Sequence, residues 1–316
     1  MEQSAENSGE AYPMETGLPG YLGLDDTGEL LRRAETARNL LRDCTVCPHL
    51  CHVDRLAGET GKCNTGAKAR VCSAHAHFGE EPPLVGRYGS GTIFFSWCNL
   101  QCVFCQNAEL SAQGVGQDLD AMEIAELMLD LQAQRCHNIN FVSPSHVVPQ
   151  VLEALHIAAE KGLRLPLVYN TGGYDRVETL RLLDGVFDIY MPDMKYANGN
   201  TAKRLSGVGD YPETNRAALR EMHRQVGDLA LDAHGVAIRG LLVRHLVLPG
   251  GLAGTETVMK FLAEELSRDT YVNVMAQYRP CHHADAMPPI NRRITGTEYE
   301  SAREAARKAG LHRFAR

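Results

Sequence analysis

Ser96-Trp97-Cys98-Asn99-Leu100-Gln101-Cys102-Val103-Phe104-Cys105-Gln106-Asn107 places three thiols within eight residues, directly behind the apolar run Ile93-Phe94-Phe95. Thiolates this close repel one another unless a metal takes up their charge, and iron-sulfur clusters are held by cysteine thiolates at such short spacings. A 4Fe-4S cluster with three protein ligands has one iron left to bind a small molecule, whereas a fourth cysteine confines it to passing electrons. A zinc site of three cysteines completed by a remote histidine, or simply three buried thiols, would use the same residues.

The same stretch decides the fold, because it closes the first of a series of strand-helix units. Beyond it, Asp120 with Glu123 three residues on is a capping box, and Met122, Ala125, Leu127, Met128 and Leu131 supply an apolar side. Strands are then expected over 139–142, 167–169, 187–191, 241–248 and 271–277, with helices over 149–161, 176–183, 214–226, 256–266 and 298–309. Six strands alternating with helices predict an α/β protein built as a partial (β/α)6 TIM-like barrel, its strands parallel and its crossovers right-handed. A doubly wound open sheet is the alternative. In a barrel the loops leaving the C-terminal ends of the strands build the active site, and the cysteine loop leaves the first strand at that end.

Upstream lies Cys44-x2-Cys47-x3-Cys51-x11-Cys63, with Cys72 further on and Gly58, Gly61 and Gly66 among them. Four thiols at such spacings predict a second metal site, zinc or an auxiliary iron-sulfur cluster, able to fold a segment too polar to fold by itself. The chain is therefore expected to comprise a disordered tail over 1–22, a helix and Cys-rich metal-binding segment over 23–86, and the partial barrel over 87–316. The helix should begin at Asp26-Thr27, with Leu30, Leu31, Ala34, Ala37, Leu40 and Leu41 as its apolar stripe.

Eight of the ten cysteines lie between Cys44 and Cys105 in a chain whose first residues carry glutamates rather than a basic and then apolar segment. Without an export signal they read as metal ligands of a cytoplasmic protein rather than as disulfides. A formal charge of -7 gives no bulk attraction to nucleic acid, and no apolar run approaches the roughly 20 residues of a membrane span.

The spacing C-x3-C-x2-C, with an aromatic residue, Phe104, just before the third cysteine, resembles the radical S-adenosylmethionine (radical SAM) superfamily. The resemblance implies that Cys98, Cys102 and Cys105 hold a 4Fe-4S cluster whose open iron chelates S-adenosylmethionine, and that Phe104 packs near the adenine. It extends from about Gly89 to Tyr278. Met191-Pro192-Asp193-Met194-Lys195 and Val243-Arg244-His245-Leu246-Val247-Leu248-Pro249-Gly250 are similar to strand ends of pyruvate formate-lyase activating enzymes, which implies that Asp193, Lys195 and Arg244 lie at the cofactor. Tyr169-Asn170-Thr171-Gly172-Gly173 resembles another such end, so Asn170 and Thr171 join them, and Tyr278 falls where those enzymes have a cofactor-side histidine. Where many relatives carry Gly-Gly-Glu-Pro, this chain has Ser143-Pro144-Ser145-His146, so Ser143 and Ser145 offer neutral oxygens in place of a carboxylate. No catalytic side chain beyond the cluster is implied. The resemblance further implies a flavodoxin or ferredoxin as reductant and a hydrogen-atom abstraction, from a glycine on a glycyl-radical-type partner protein or from a small metabolite. An electron-transfer protein without S-adenosylmethionine cleavage and a zinc-stabilised binding module are the rivals.

Overall fold

The structure, a computed structural model, describes residues 17–315. Its strands are β1 (Ala69–His77), β2 (Ser90–Phe95), β3 (Gln117–Leu119), β4 (Ile139–Val142), β5 (Leu167–Thr171), β6 (Ile189–Pro192), β7 (Ala230–Leu231), β8 (Ala237–Leu246), β9 (Tyr271–Met275) and β10 (Arg313–Phe314). They form one sheet in the order β10-β9-β8-β6-β5-β4-β2-β1-β3, with β7 beside β8. The six strands expected from the sequence, β2, β4, β5, β6, β8 and β9, pair parallel, neighbour to neighbour. The end strands β3 and β10 do not meet, so the sheet is a partial barrel.

Period-two alternation sorts each strand between a helix-covered outer face and a lumen. On β2, Ile93 and Phe95 point outward and are 0 % and 2 % exposed, and Phe95 stacks on Phe141 of β4. The lumenal partners of the alternation, Phe94 on β2, Val142 on β4, Arg244 on β8 and Asn273 on β9, are half-buried. Leu84 of the short helix Pro82–Val85 packs with Val168, Ile189 and Leu242, closing the lumen at the N-terminal ends of the strands. Asp120 and Glu123 box the helix Ala121–Ala133 as expected, and a second box, Thr295 with Glu298, opens Gly296–Ala309. Among the described residues no helix is long and apolar enough to cross a membrane.

Three expectations change. Residues 17–22 do not belong to a tail: Gly20–Asp26 is a helix with Tyr21 fully buried, while 1–16 lie outside the described residues. Gly28, at a φ of 73°, separates that helix from Glu29–Asn39, so no single helix starts at Asp26-Thr27. The boundary at 86/87 falls inside the sheet, because β1 pairs antiparallel with β2. The polar sequence of β1 concealed it: Ser73, His75 and His77 share its lumenal face, where no apolar stripe is needed.

The first helix is tied to the barrel by Asp188, which accepts the Gly20 and Leu167 N–H groups at 3.3 and 3.0 Å. Burial pushes its carboxyl up to about 6, against the relief given by those two donors. A carboxyl whose folded pKa is raised contributes stability fully present below its unfolded value, near 4, and lost as pH rises through about 6. In Asp188→Asn the melting temperature relative to the natural chain should therefore climb between those two pH values; a constant offset across that window would refute it.

Candidate active site

The cysteine loop leaves β2 through Trp97, which adopts a left-handed φ of 64°. A residue with a side chain holds that conformation only where its surroundings impose it. Here the Ser96 hydroxyl donates to the Val115 carbonyl, the Trp97 N–H to Leu110 at 2.9 Å, and the indole lies on Gly114. A Cβ at Gly114, itself at a φ of 65°, would land inside the indole. Gly114→Ala should cost about 2 kcal/mol or more and lower the iron retained after reconstitution, checked by urea unfolding and metal analysis.

All three loop thiols are free and none is exposed. Each sulfur has a hydrogen-bonding neighbour: the Leu100 N–H on Cys98 at 3.4 Å, the Ser206 hydroxyl beside Cys102 at 3.0 Å, and the Ser111 hydroxyl on Cys105 at 3.1 Å. Burial pushes the Cys98 thiol up to about 12, with Cys102 and Cys105 pushing the same way, and burial also raises Cys102. Neutral thiols gain little from such donors, whereas cluster-bound thiolates accept them well. The donor set therefore fits an iron-sulfur cluster. Among the described residues no three His, Cys, Asp or Glu side chains converge on a single metal ion. A 4Fe-4S cluster makes no such demand, because each thiolate takes a different iron.

Phe104 and Tyr278 brace the loop from below. Phe104 is 6 % exposed and meets Tyr278 and Tyr196 edge-on at 5.8 and 6.4 Å, and the Tyr278 hydroxyl donates to the Ile290 carbonyl at 2.6 Å. Both are thus engaged in packing.

At the other strand ends the structure joins four of the sequence-derived candidates. Arg244 donates from Nε to Asp193 Oδ1 at 2.8 Å and from Nη2 to Asn170 Oδ1 at 2.7 Å, and Lys195 Nζ reaches Asp193 Oδ2 at 2.5 Å. Burial alone would raise Asp193, but Arg244 and Lys195 outweigh it and hold the carboxyl below the usual range. Burial likewise opposes the charge on Lys195, which is raised on balance by Asp193 and Cys102. Tyr211 and Asn215 fasten this corner: the Tyr211 hydroxyl lies 3.0 Å from the Asp193 carbonyl, which also accepts from Asn215 Nδ2 at 3.0 Å.

Ser145 and Thr171 do not join that group. Thr171, 1 % exposed, gives its hydroxyl to the buried Asp175 at 2.6 Å, and Ser145 lies 2.9 Å from it. They hold the loop from the outer face of the sheet. Ser143, at a φ of 60°, donates its N–H to the Asn170 carbonyl at 2.8 Å and turns the chain rather than presenting a carboxylate substitute. His146 is neutral: burial, then Arg55, depress it to about 3.

The four upstream thiols lie near enough to influence one another but do not converge on a single ion. Burial raises Cys47 to about 12 and Cys63, Cys44 and Cys51 push the same way. The Lys62 N–H points at Cys51 Sγ at 3.5 Å, and the segment touches the cluster loop where His49 Nε2 meets the Asn99 carbonyl at 2.7 Å. Buried Arg55 clamps it to the barrel through the His146 carbonyl at 2.9 Å and ties the segment to itself through the Gly66 carbonyl at 3.1 Å. Residue patterns missed several neighbours of the site: Ser111 and Ser206, and the lumenal Glu80, Glu81 and Asn273. An acidic pair ahead of Pro82-Pro83 was the only available sign of the glutamates.

Comparison with known proteins agrees with this geometry. The profile of the Radical SAM superfamily matches residues 92–237, from within β2 to the start of β8. An uncharacterised protein of Methanocaldococcus jannaschii is 33 % identical over 287 residues, covering 88 % of this chain and 78 % of its own.

Proposed function

Because the chain belongs to the radical SAM superfamily, we propose that Cys98, Cys102 and Cys105 hold its 4Fe-4S cluster beside a bound S-adenosylmethionine. When bound, that pair supplies a 5'-deoxyadenosyl radical by one-electron cleavage of a carbon-sulfur bond, and the radical takes a hydrogen atom from substrate. Ser111, Ser206 and the Leu100 N–H stabilise the thiolates, while Phe104 and Tyr278 fix the loop's height above the lumen. Arg244 and Lys195 offer a guanidinium and an ammonium to the methionine carboxylate, with Asp193 orienting both and offering its own oxygens to the amino group. Ser143, Ser145, Asn170 and Thr171 shape the strand ends on which that group sits. The single observation that carries the reading is three free, hydrogen-bonded thiols at the C-terminal end of the first parallel strand.

The substrate read first is a glycine on a partner protein, supported by the activating-enzyme-like strand ends around Asp193 and Arg244; a small metabolite is second. A flavodoxin or ferredoxin would deliver the electron in the cytoplasm. Cys44, Cys47, Cys51 and Cys63 would carry a separate centre, and an iron-sulfur cluster suits them better than zinc because their sulfurs do not converge on one ion. Anaerobic reconstitution with iron and sulfide, reduction with S-adenosylmethionine present, and chromatography for 5'-deoxyadenosine test the activity. An intact reduced cluster that yields none would favour electron transfer instead.

A further inference from the structure

The upstream cysteine segment holds a positive charge that no acid in the fold balances. Arg55 opens the short helix Arg55–Ala57 and is 1 % exposed. Its Nε donates to the Gly66 carbonyl and its Nη1 to the His146 carbonyl, while Nη2 has no hydrogen-bond partner. Among the described residues no aspartate or glutamate pairs with it. The cations of the lumen differ in this respect, because Arg244 and Lys195 share Asp193.

Two carbonyls satisfy hydrogen bonds but do not neutralise a charge. A guanidinium stays charged when buried, and a buried ion is costly unless an anion stands beside it. The groups in place to supply that anion are the upstream sulfurs. Arg55 Nη1 stands 3.9 Å from Cys44 Sγ, and Cys44, Cys47 and Cys63 are as well buried as the arginine's own surroundings, at 6 %, 7 % and 6 % exposed. Cys44, Cys51 and Cys63 all act electrostatically on Cys47, so a cation beside Cys44 stands beside the whole set. A neutral thiol offers a guanidinium almost nothing. Four thiolates bound to zinc or to an iron-sulfur cluster leave the centre net negative, which is the charge that Arg55 lacks.

We propose that Arg55 is the counter-cation of an anionic iron-sulfur centre on Cys44, Cys47, Cys51 and Cys63, and that its charge raises the reduction potential of that centre. The proposal rests on reading those thiols as ligands and is independent of the cluster at Cys98. Net charge and hydrogen bonds to sulfur are among the factors that set an iron-sulfur potential. On taking up one electron the centre gains one negative charge, so a fixed cation shielded from water stabilises the reduced form more than the oxidised one. The same guanidinium holds the turn 144–146, where His146 Nε2 meets the Ser96 carbonyl at 3.2 Å just ahead of the cysteine loop. Arg55 thus sits between the upstream sulfurs and the strand end that carries the other three.

The test isolates the upstream centre. The full chain carrying Cys98→Ala, Cys102→Ala and Cys105→Ala is reconstituted anaerobically with iron and sulfide, and the bound iron and sulfide are counted. The remaining centre is then titrated with one-electron mediators while its visible absorption is followed. Adding Arg55→Met should lower the midpoint potential by about 59 mV or more, a tenfold change in a one-electron equilibrium. Arg55→Lys keeps the charge without the rigid fork and should fall by less than half as much. A merely structural role would reduce the amount of centre formed without moving the potential of what does form. Equal potentials with and without Arg55→Met, or an equal drop in the Met and Lys variants, would overturn the countercharge and leave the centre standing. A chain that takes up no iron and sulfide in this background would strike the iron-sulfur reading of the four thiols, and the proposal with it. If Arg55→Met does not fold, the neutral Arg55→Gln takes its place with the same outcomes.

Discussion

Cys98→Ala should reduce 5'-deoxyadenosine formation to the uncatalysed background. The reason lies in the ligand count. On the proposed assignment Cys98, Cys102 and Cys105 leave the cluster one iron for S-adenosylmethionine, and two thiolates would not supply the coordination that holds it. Fold stability should change by no more than about 1 kcal/mol in the metal-free protein, because the lost sulfur accepts a single N–H, from Leu100 at 3.4 Å. The centre expected on Cys44, Cys47, Cys51 and Cys63 should remain, since its thiols sit in a separate segment, which meets the loop through the hydrogen bond of His49 to the Asn99 carbonyl. Metal and sulfide analysis beside the cleavage assay reads both effects. Full cleavage by the variant would refute the cluster assignment, and loss of both metals together would refute two separate centres.

What was legible in the sequence is what depends on local pattern. Three thiols in eight residues behind an apolar strand point to a metal loop, and the six parallel strands announce themselves because their outer faces need apolar residues such as Ile93, Phe95 and Phe141. Asp193 and Arg244 could be nominated from similarity, but their bond joins strands that a chain reading cannot bring together. The lumen was illegible for the same reason: Glu81 meets Asn273 across 192 residues, and neither position looks unusual alone. Ser145 and Thr171 show the opposite error. As hydroxyls at strand ends they suggest ligand contacts, yet period-two alternation turns Thr171 to the outer face, where Asp175 needs it, and Ser145, in the turn 144–146 beyond β4, bonds to Thr171 there. The helix Gly20–Asp26 escaped because seven residues carry no usable period; the burial of its own Tyr21 and the bond from Gly20 to Asp188 hold it in place.

The largest effect away from the cysteines is expected at Arg244, and charge counting ranks the variants. The natural set opposes Glu80, Glu81 and Asp193 with Arg244 and Lys195. Arg244→Met leaves Asp193 and Glu81 with Lys195 as the one remaining cation, while Glu80, which burial raises to about 7, takes up a proton; removing one partner of a buried ion pair costs about 3–5 kcal/mol. Asp193→Asn leaves two acids against two cations and should cost less, although Asn can still accept from Arg244 on one side only. The double variant restores part of what Arg244→Met loses, so the two changes should fall short of additivity by about 1 kcal/mol or more. Arg244→Lys keeps the charge but not the rigid fork that spans Asp193 and Asn170, so it should fold better than Arg244→Met and still bind S-adenosylmethionine roughly tenfold or more weakly. Denaturant unfolding supplies the thermodynamic cycle and equilibrium binding supplies the affinity. Additive costs would mean that Arg244 and Asp193 act independently, and unchanged affinity in Arg244→Lys would remove Arg244 from the cofactor site.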